Sequence, residues 1–316
     1  MNSKPVMRAA TQQSLGGPEV LEVVDLPRPR PRANEILVRV HAASLNPTDW
    51  KHRAQGGFLG EPPFVIGWDL SGVVEAVGIG VARFQPGDEV IGMLSYPYGH
   101  GAHAEYVAAP ARVFAKKPAS LDHVQAAALP LVSLTAWQTL IDYADMQPGQ
   151  RVLIHAAAGG VGHVAVQIAK TRGAYVIGTA SEAKHDFLRS LGVDEAIDYR
   201  NQEFDEVVRD VDVVLDTIGG ETSVRSLRVL RPGGIVVSTL PVGSARFYSE
   251  AEQLGVRALR MLVDSSRTDL ASIAELAESG ELRATIAATF PLDRIADAHR
   301  LGETGRTAGK IVLTME

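Results

Sequence analysis

The feature that most constrains the fold of this chain is a glycine-rich loop placed between a strand and a helix. The segment HAAAGGVGHVAVQIAK (155–170) follows a short apolar run and leads into Val161–Thr171, which has a helical pattern. Ala157, Gly159 and Gly162 fit the spacing G-x-G-x-x-G with alanine in the first place. Such glycines let the backbone approach a pyrophosphate, and the helix N-terminus attracts its negative charge. The loop therefore predicts a dinucleotide-binding site.

Apolar strands and helices alternate from about residue 127 onward. The predicted strands are Arg151–His155, Ala174–Thr179, Asp212–Thr217 and Gly234–Ser238, and the predicted helices are Val161–Thr171, Glu182–Leu191 and Glu221–Leu230. Nearly continuous apolar strands separated by helices indicate βαβ units of a parallel sheet that is covered on both faces. We expect an α/β fold in which residues 127–265 form a doubly wound Rossmann sheet.

The N-terminal part of the chain has a different pattern. Its predicted strands are short and separated by proline and glycine: Val20–Val24, Glu35–Ala43, Val73–Val77 and Glu89–Met93. This pattern is typical of a small β-barrel-like domain. The tail after about residue 266 adds two helix-like segments and strands at Ala284–Phe290 and Lys310–Thr314.

Composition excludes several classes of protein. The chain has 316 residues, a net charge of −6 and no cysteine. It therefore lacks the basic stripe of a nucleic-acid-binding protein and cannot form a disulfide. No apolar run reaches the roughly 18–20 residues of a membrane span, and the N-terminus does not resemble a signal peptide. We expect a cytoplasmic enzyme that binds neither nucleic acid nor membranes.

The end of the second Rossmann strand indicates which nicotinamide cofactor is used. Enzymes that use NAD place an acid there to bind the ribose hydroxyls, but this chain has Thr179 and Ser181 at the strand tip. Glu182 follows at the start of the next helix, where an acid is ordinary. Lys184 and Tyr199 are placed to bind a 2′-phosphate, although they could also be a solvated lysine and a half-buried tyrosine. We predict NADPH.

Five motifs together identify a family. SLNPTDWK (44–51), AAAGGVG (156–162), Lys184 with Tyr199, DTIGG (216–220) and GKIVL (309–313) resemble the zinc-lacking quinone oxidoreductases of the medium-chain dehydrogenase/reductase superfamily. The segment NPTDWK is most similar to the branch of alkenal and enone reductases. The resemblance covers essentially the whole chain.

The resemblance implies a domain arrangement. Residues 1–126 and 266–316 would form a GroES-like β-barrel catalytic domain, and residues 127–265 the inserted Rossmann domain. The active site would lie in the cleft between the domains. A homodimer would form edge to edge through the last Rossmann strand, around Val256–Val263.

The resemblance also implies a set of cofactor contacts, to which the strand tip analysed above adds Thr179 and Ser181. The residues expected around NADPH are Ala158, Gly159, Gly160, Val161 and Gly162 at the pyrophosphate, Thr179, Ser181, Lys184 and Tyr199 at the adenosine ribose and its phosphate, Thr135, Ile218, Leu240 and Val242 at the nicotinamide, and Lys310 from the tail.

A zinc site is not expected. Zinc alcohol dehydrogenases of the superfamily have Cys-x-x-Asp, then Gly-His-Glu, then a later cysteine around the catalytic metal. Asn46 and Trp68 stand here in the places of the first cysteine and the histidine. Neither side chain is a zinc ligand.

The expected reaction is hydride transfer from NADPH to a quinone or an α,β-unsaturated carbonyl such as an alkenal or enone. Negative charge then develops on the acceptor oxygen, and a hydrogen-bond donor there stabilises the transition state. Asn46 is the predicted donor, Lys51 is a second possible donor, and Asp49 is expected to orient its neighbours. The alternative for Asn46 is a structural residue that caps the turn before Pro47.

Two other functions fit the sequence. The first is a reductase of 2-enoyl thioesters, for which Arg246 and the arginines between 257 and 260 could form a basic cleft mouth. The second is a protein that binds NADPH without turnover.

Overall fold

The computed structural model describes residues 5–240 and 245–315. Val242, which we expected beside the nicotinamide, lies outside the described residues. Two compact units are present. Unit 1 contains the described residues up to Leu131 and those from Asp264 onward, and unit 2 is Val132–Val263. The sequence-based division placed these breaks after residues 126 and 265.

The first stretch of the chain carries most of the strands of unit 1. Its elements are β1 (Val6–Gln12), β2 (Leu21–Pro27), β3 (Glu35–Leu45), α1 (Pro47–Gln55), β4 (Phe64–Val65), β5 (Asp69–Val77), β6 (Glu89–Met93), β7 (Tyr106–Pro110), β8 (Phe114–Lys116), α2 (His123–Ala127) and α3 (Pro130–Trp137), of which α3 runs into unit 2.

Unit 2 follows as a regular alternation of strands and helices, and the chain then returns to unit 1. The elements of unit 2 are β9 (Arg151–Ile154), α4 (Gly160–Thr171), β10 (Tyr175–Ala180), α5 (His185–Ser190), β11 (Glu195–Asp198), α6 (Phe204–Val207), β12 (Val211–Asp216), α7 (Glu221–Ser226), β13 (Leu230–Ser238), α8 (Ala245–Leu254) and β14 (Arg257–Arg260). The last elements of unit 1 are α9 (Arg267–Glu278), β15 (Ile286–Pro291), α10 (Ile295–Glu303) and β16 (Lys310–Thr314).

Strand β3 organises the main sheet of unit 1. It is 11 residues long and pairs antiparallel with β5 on one side. On its other side, β7 pairs with Glu35–Arg39 and β16 pairs with Ala42–Leu45. Strands β7 and β16 therefore share one edge of β3, and β16, the C-terminal strand, pairs with the end of β3. This arrangement is the one expected for a GroES-like domain, and the expected fold class is confirmed.

Unit 2 is built on a six-stranded sheet with the order β11-β10-β9-β12-β13-β14, and its strand pairs are parallel. Leu153, Ile177, Val214 and Val236, on four adjacent strands, are fully buried in its core. These are the near-continuous apolar strands that the sequence predicted. The strand order is that of a doubly wound Rossmann domain, whose switch point lies between β9 and β12.

Several elements differ from the prediction. The helix expected at Glu182–Leu191 is divided into a 3-10 turn, Glu182–Lys184, and α5. The helix expected to reach Leu230 ends at Ser226 in a second 3-10 turn, because Pro232, with no N–H, and the glycines after it favour extended chain. Within residues 5–240 and 245–315, no helix is both long and apolar enough to cross a membrane.

Candidate functional site

One group of candidate site residues lies in unit 1, where β3 ends and α1 begins. Asn46 is the N-cap of α1, and Pro47 is the first helical residue, where its fixed φ and missing N–H are tolerated. The carboxylate of Asp49 accepts a hydrogen bond from the backbone N–H of Asn46 at 2.5 Å. Asp49 therefore closes the helix N-terminus, and Asn46 has the capping position that the structural alternative foresaw. Its side chain, however, makes contacts beyond the helix.

The carboxamide of Asn46 is held at both ends. Its Nδ2 donates to Asp69 Oδ2 at 2.9 Å, and its Oδ1 accepts from Lys310 Nζ at 2.5 Å. Lys310 also donates to the carbonyl oxygen of Leu45 at 2.7 Å and lies 3.8 Å from Asp69 Oδ2. Asn46 is 1% exposed and Lys310 is 2% exposed. We call Asn46, Asp49, Asp69 and Lys310 the buried network.

Asp69 fixes the network to the surrounding fold. Ser44 Oγ donates to Asp69 Oδ2 at 2.6 Å, and the backbone N–H of Leu131 donates to Asp69 Oδ1 at 2.8 Å. Because β3, β5, α3 and β16 each supply a group, the network is positioned by rigid elements rather than by a loop.

Burial disfavours the charged forms in this network. Desolvation raises the pKa of Asp49 well above its usual range, and the nearby Asp69 raises it further. Burial also raises the pKa of Asp69, against the opposing effect of Lys310, and lowers the pKa of Lys310. Two carboxylates and one ammonium would leave a buried excess negative charge, which is unfavourable. Asp49 Oδ1 has no hydrogen-bond partner among the described residues.

The donors at the positions of the superfamily's zinc ligands do not fit a zinc ion. Asn46 Oδ1 already accepts from the Lys310 ammonium, and Trp68 is a fully buried indole. No group of three or more His, Cys, Asp or Glu that could hold a metal is found in the described part of the chain.

Next to the network, α1 carries an exposed lysine and packs beside a group of aromatic side chains. Lys51 is exposed. Phe58 lies 6.3 Å, centroid to centroid, from both Tyr96 and Tyr98, and Tyr96 Oη is 3.0 Å from Thr48 Oγ1. Phe58 and Tyr98 are exposed. Sequence reasoning missed Tyr96 and Thr48, although the repeated tyrosines of the YPY segment are an available signal.

In unit 2 the glycine loop joins β9 to α4, as expected. Gly159 is the N-cap of α4, and Gly162 lies in its first turn. A Cβ on Gly162 would lie 2.4 Å from Ala156 O, so only glycine lets the helix approach the loop this closely. Ala158 is buried beneath the loop, whereas Gly160 and Val161 are half-buried at the helix start. The free N–H groups of this turn fit a pyrophosphate.

Thr179 fastens the loop to the neighbouring strand β10. Its hydroxyl accepts from Ala156 N at 3.1 Å, and its carbonyl accepts from Ala157 N at 2.9 Å. Its side chain is buried, so the structure places it beneath the loop. His155, which sequence reasoning missed, lies alongside: its Nε2 is 2.9 Å from Ser226 Oγ, and burial lowers its pKa to about 4.

The residues predicted at the 2′-phosphate come together at the ends of β10 and β11. Ser181 and Tyr199 each follow the last residue of a strand, and those last residues pair with each other. Lys184 N donates to Ser181 O at 2.8 Å, so the lysine lies one tight turn beyond Ser181. Tyr199 is 56% exposed. Arg200, which was not predicted, places its guanidinium carbon 5.8 Å from the Tyr199 ring centroid.

Asp216 shapes the segment predicted to border the nicotinamide. Its carboxylate, at the end of β12, accepts from Ile218 N at 2.8 Å, Gly219 N at 3.1 Å and Ser238 Oγ at 2.9 Å. Ile218 is 51% exposed beside the switch point of the sheet. Sequence reasoning did not single out Asp216, although an acid ending an apolar strand is a visible signal.

The other residues that were predicted to contact the cofactor lie on several different elements. Leu240 is half-buried after β13, and Thr135 is buried in α3. Lys310 belongs to the buried network of unit 1.

Family models match two parts of the chain. Residues 32–119 match the alcohol dehydrogenase GroES-like domain, and residues 191–313 match a model described as zinc-binding dehydrogenase.

Individual relatives are similar over nearly the whole chain. The 2-haloacrylate reductase of a Burkholderia species is 36% identical over 98% of this chain and 99% of its own length. The chloroplastic NADPH-dependent alkenal/one oxidoreductase of Arabidopsis thaliana is 34% identical over 97% of this chain and 79% of its own. The structure of the quinone oxidoreductase from Coxiella burnetii superposes with a TM-score of 0.93, with 37% identity over 99% of this chain and 100% of that one.

These similarities agree with a dinucleotide loop in unit 2 and with a GroES-like unit 1 in a chain without cysteine. They support an oxidoreductase that uses a nicotinamide cofactor. The chain belongs to the zinc-lacking quinone and enone oxidoreductase branch of the medium-chain dehydrogenase/reductase superfamily.

Proposed function

We propose that this protein is a zinc-independent reductase that transfers hydride from NADPH to quinones or to α,β-unsaturated carbonyls. The observation that carries the proposal is the buried network, in which the Asn46 carboxamide, bonded to the Lys310 ammonium, stands where the superfamily's zinc enzymes have their first cysteine ligand. Alcohol oxidation in this superfamily relies on a Lewis acid, whereas an electron-poor acceptor is reduced without one. Two of the relatives, an alkenal/one oxidoreductase and a 2-haloacrylate reductase, support the same acceptor class.

We propose NADPH as the cofactor because the end of β10 offers cations and hydroxyls. Lys184, Tyr199 and Ser181 meet at one corner of the sheet, and Arg200 adds a second cation. The pyrophosphate would be held by the N-terminal turn of α4 and the nicotinamide by Ile218, Thr135, Leu240 and Val242. When bound, the cofactor supplies the hydride.

The chain's own residues stabilise the charge that the reaction creates. The acceptor oxygen becomes negative as hydride arrives, so a fixed donor lowers the barrier more than it tightens binding. Asn46 is the proposed donor, because its Nδ2 carries a second N–H beyond the one given to Asp69. Lys51 is an exposed alternative on the same helix. Phe58 and Tyr98 offer exposed rings for a flat acceptor.

Reduction of 2-enoyl thioesters is less well supported. The basic mouth suggested for it combines Arg246 with Arg257 and Arg260. The guanidinium of Arg246 pairs with Glu250 at 2.6 Å and Glu221 at 3.3 Å, so the charge of this arginine is compensated within the fold.

A homodimer is proposed through β14. That strand ends the order of the six-stranded sheet and pairs with β13 along one side. Such an edge can pair with the same edge of a second copy.

The proposal is tested by measuring NADPH and NADH oxidation in parallel against a benzoquinone, a short alkenal and a crotonyl thioester, with and without a chelator. We expect NADPH-specific turnover of the quinone or the alkenal that the chelator leaves unchanged. Faster turnover of the thioester would favour the enoyl-thioester reductase. NADPH binding without turnover of any acceptor would favour the non-catalytic function.

A further inference from the structure

We propose that Lys310 is a positioning residue: it holds the Asn46 carboxamide in one orientation and strengthens its remaining N–H as a hydrogen-bond donor. This inference rests on the proposed function, since it concerns the donor used in that reaction. It gives Lys310 a role within unit 1 in place of the predicted cofactor contact.

The Lys310 ammonium makes its hydrogen bonds inside unit 1. Lys310 Nζ has three hydrogens. It donates to Leu45 O at 2.7 Å and to Asn46 Oδ1 at 2.5 Å, and the carboxylate of Asp69 lies 3.8 Å away. Two of its three hydrogens are therefore used within unit 1, and its side chain is only 3% exposed.

Only one orientation of the carboxamide satisfies its neighbours. Asn46 Oδ1 faces a cation, and Nδ2 faces the Asp69 carboxylate. A 180° flip would set the NH₂ group against the ammonium and the oxygen against the carboxylate. Both contacts would then be repulsive in a buried site, where electrostatic interactions are strong.

The second N–H of Asn46 Nδ2 is the group that can donate to the acceptor oxygen. One N–H of Nδ2 is used by Asp69, so a single N–H with a fixed direction remains. A cation on the amide oxygen draws electron density away from the nitrogen, and hydrogen-bonded groups polarise one another in this way. The remaining N–H is therefore both aimed and strengthened by Lys310.

Orientation can be measured without any turnover. The chain has only four asparagines, at positions 2, 34, 46 and 201. Selective side-chain ¹⁵N labelling gives four NH₂ pairs, and Asn46→Ala identifies the pair of interest. In the wild type, we expect the chemical shifts of the Asn46 NH₂ pair to differ from random-coil values. We expect these shifts to change substantially in Lys310→Met. An unchanged pair would overturn the proposal.

The catalytic consequence is tested by a double-mutant cycle on kcat. Lys310→Met is expected to lower kcat about tenfold or more, because a misaimed donor loses much of the effect of a deleted one. The Kd for NADPH should stay within about twofold. In the Asn46→Ala background, Lys310→Met should add little, since both changes remove one interaction. If the double variant lost kcat by the product of the two single effects, the proposal would be overturned. A Kd for NADPH that rose as kcat fell would overturn it as well.

Two further variants keep the test decisive. Lys310→Met leaves Asp69 as an unpaired buried charge, so Lys310→Met/Asp69→Asn is the second variant if the first fails to fold, with the same expected results. Lys116→Met is the matched control, because that lysine side chain is 73% exposed, and kcat should not change. If the wild type reduces no acceptor, the proposed function fails, while the NMR signal still decides the orientation of Asn46.

Discussion

At the scale of single residues, Asn46 shows how a buried polar group is satisfied by distant parts of one chain. Its backbone N–H bonds to Asp49 one helical turn ahead, whereas its side chain bonds to Asp69 and Lys310. Truncating the Asn46 side chain would remove one hydrogen bond from Asp69 and one from Lys310. Losing such a bond in a buried site costs roughly 1–3 kcal/mol.

The sequence singled out Asn46, Asp49 and Lys310 of this network, but neither Asp69 nor the contacts made by Lys310. Asn46 and Asp49 belong to one motif, and their spacing is that of a helix N-terminus. Lys310 lies 264 positions from Asn46, and no local pattern reports a contact at that distance. The lysine was expected at the cofactor because the family resemblance implied it, and a charged residue is seldom buried. It is buried here beside a carboxamide oxygen and a carboxylate.

Lys184 provides a test of cofactor choice. We expect Lys184→Ala to raise KM for NADPH by about tenfold or more and to leave KM for NADH nearly unchanged, because only NADPH carries the 2′-phosphate. Initial rates with each cofactor at saturating acceptor measure this. Arg189→Ala removes an exposed cation from the same region and should change neither constant. Equal increases for both cofactors would contradict the assignment.

At the scale of elements, predictability followed the strength of the hydrophobic pattern. Strands β9 and β12 are buried along almost their whole length, and their positions were predicted to within one residue at each end. The exposed start of β13 was predicted four residues late. Strand β1 was missed because Arg8, Thr11 and Gln12 interrupt its pattern. Its pairing with β2 and β4 is set by tertiary contacts instead.

Gly162 tests the fit between the glycine loop and α4. In Gly162→Ala the new Cβ would lie 2.4 Å from Ala156 O and 2.6 Å from Ala157 Cα. The helix start must move away from the loop, so we expect the Kd for NADPH to rise about tenfold or more. Fluorescence titration measures it. Gly159→Ala is the matched control, because its Cβ would be 3.1 Å from Ala156 O. A larger effect in the control would contradict this explanation.

His155 predicts how the stability of unit 2 depends on pH. Burial lowers its pKa from 6.5 to about 4, against the opposing effect of Asp216. Below about pH 6.5 the unfolded chain binds a proton that the folded state does not accept until about pH 4. Stability should therefore fall as pH drops through this window, by at most roughly 3 kcal/mol for this residue.

Denaturant unfolding of the wild type and His155→Gln, at several pH values between 7 and 4, isolates that contribution. The variant should lose less stability than the wild type as pH falls, since other titrating groups cancel in the difference. If the free energy of unfolding fell equally with pH in the wild type and the variant, His155 would not titrate in this way.

At the scale of the whole molecule, unit 1 is assembled from two distant stretches of chain, whereas unit 2 is continuous. Alternation of strands and helices was enough to predict the sheet of unit 2. The pairing of β16 with β3 could not be derived from any local pattern. The resemblance implied only that the tail and the N-terminal part of the chain belong to one domain.

The proposed homodimer can be tested at the outer edge of β14. Met261 N donates to Ser238 O, toward β13, so the N–H groups of residues 258 and 260 point the other way. Arg260→Pro should remove an outward donor without disturbing β13, and we expect it to shift the protein from dimer to monomer in light scattering. Arg260→Ala should remain dimeric. A dimeric proline variant would place the interface elsewhere.

The position of Lys310 in the sequence has a consequence for biosynthesis. All the strands of the nucleotide-binding sheet lie before residue 264, so that sheet can form while translation continues. The buried network around Asn46 has to wait for strand β16, which the ribosome makes some 260 residues later. Until then Asp69 lacks its lysine partner, and the nascent protein can form its glycine loop before the proposed catalytic network is complete.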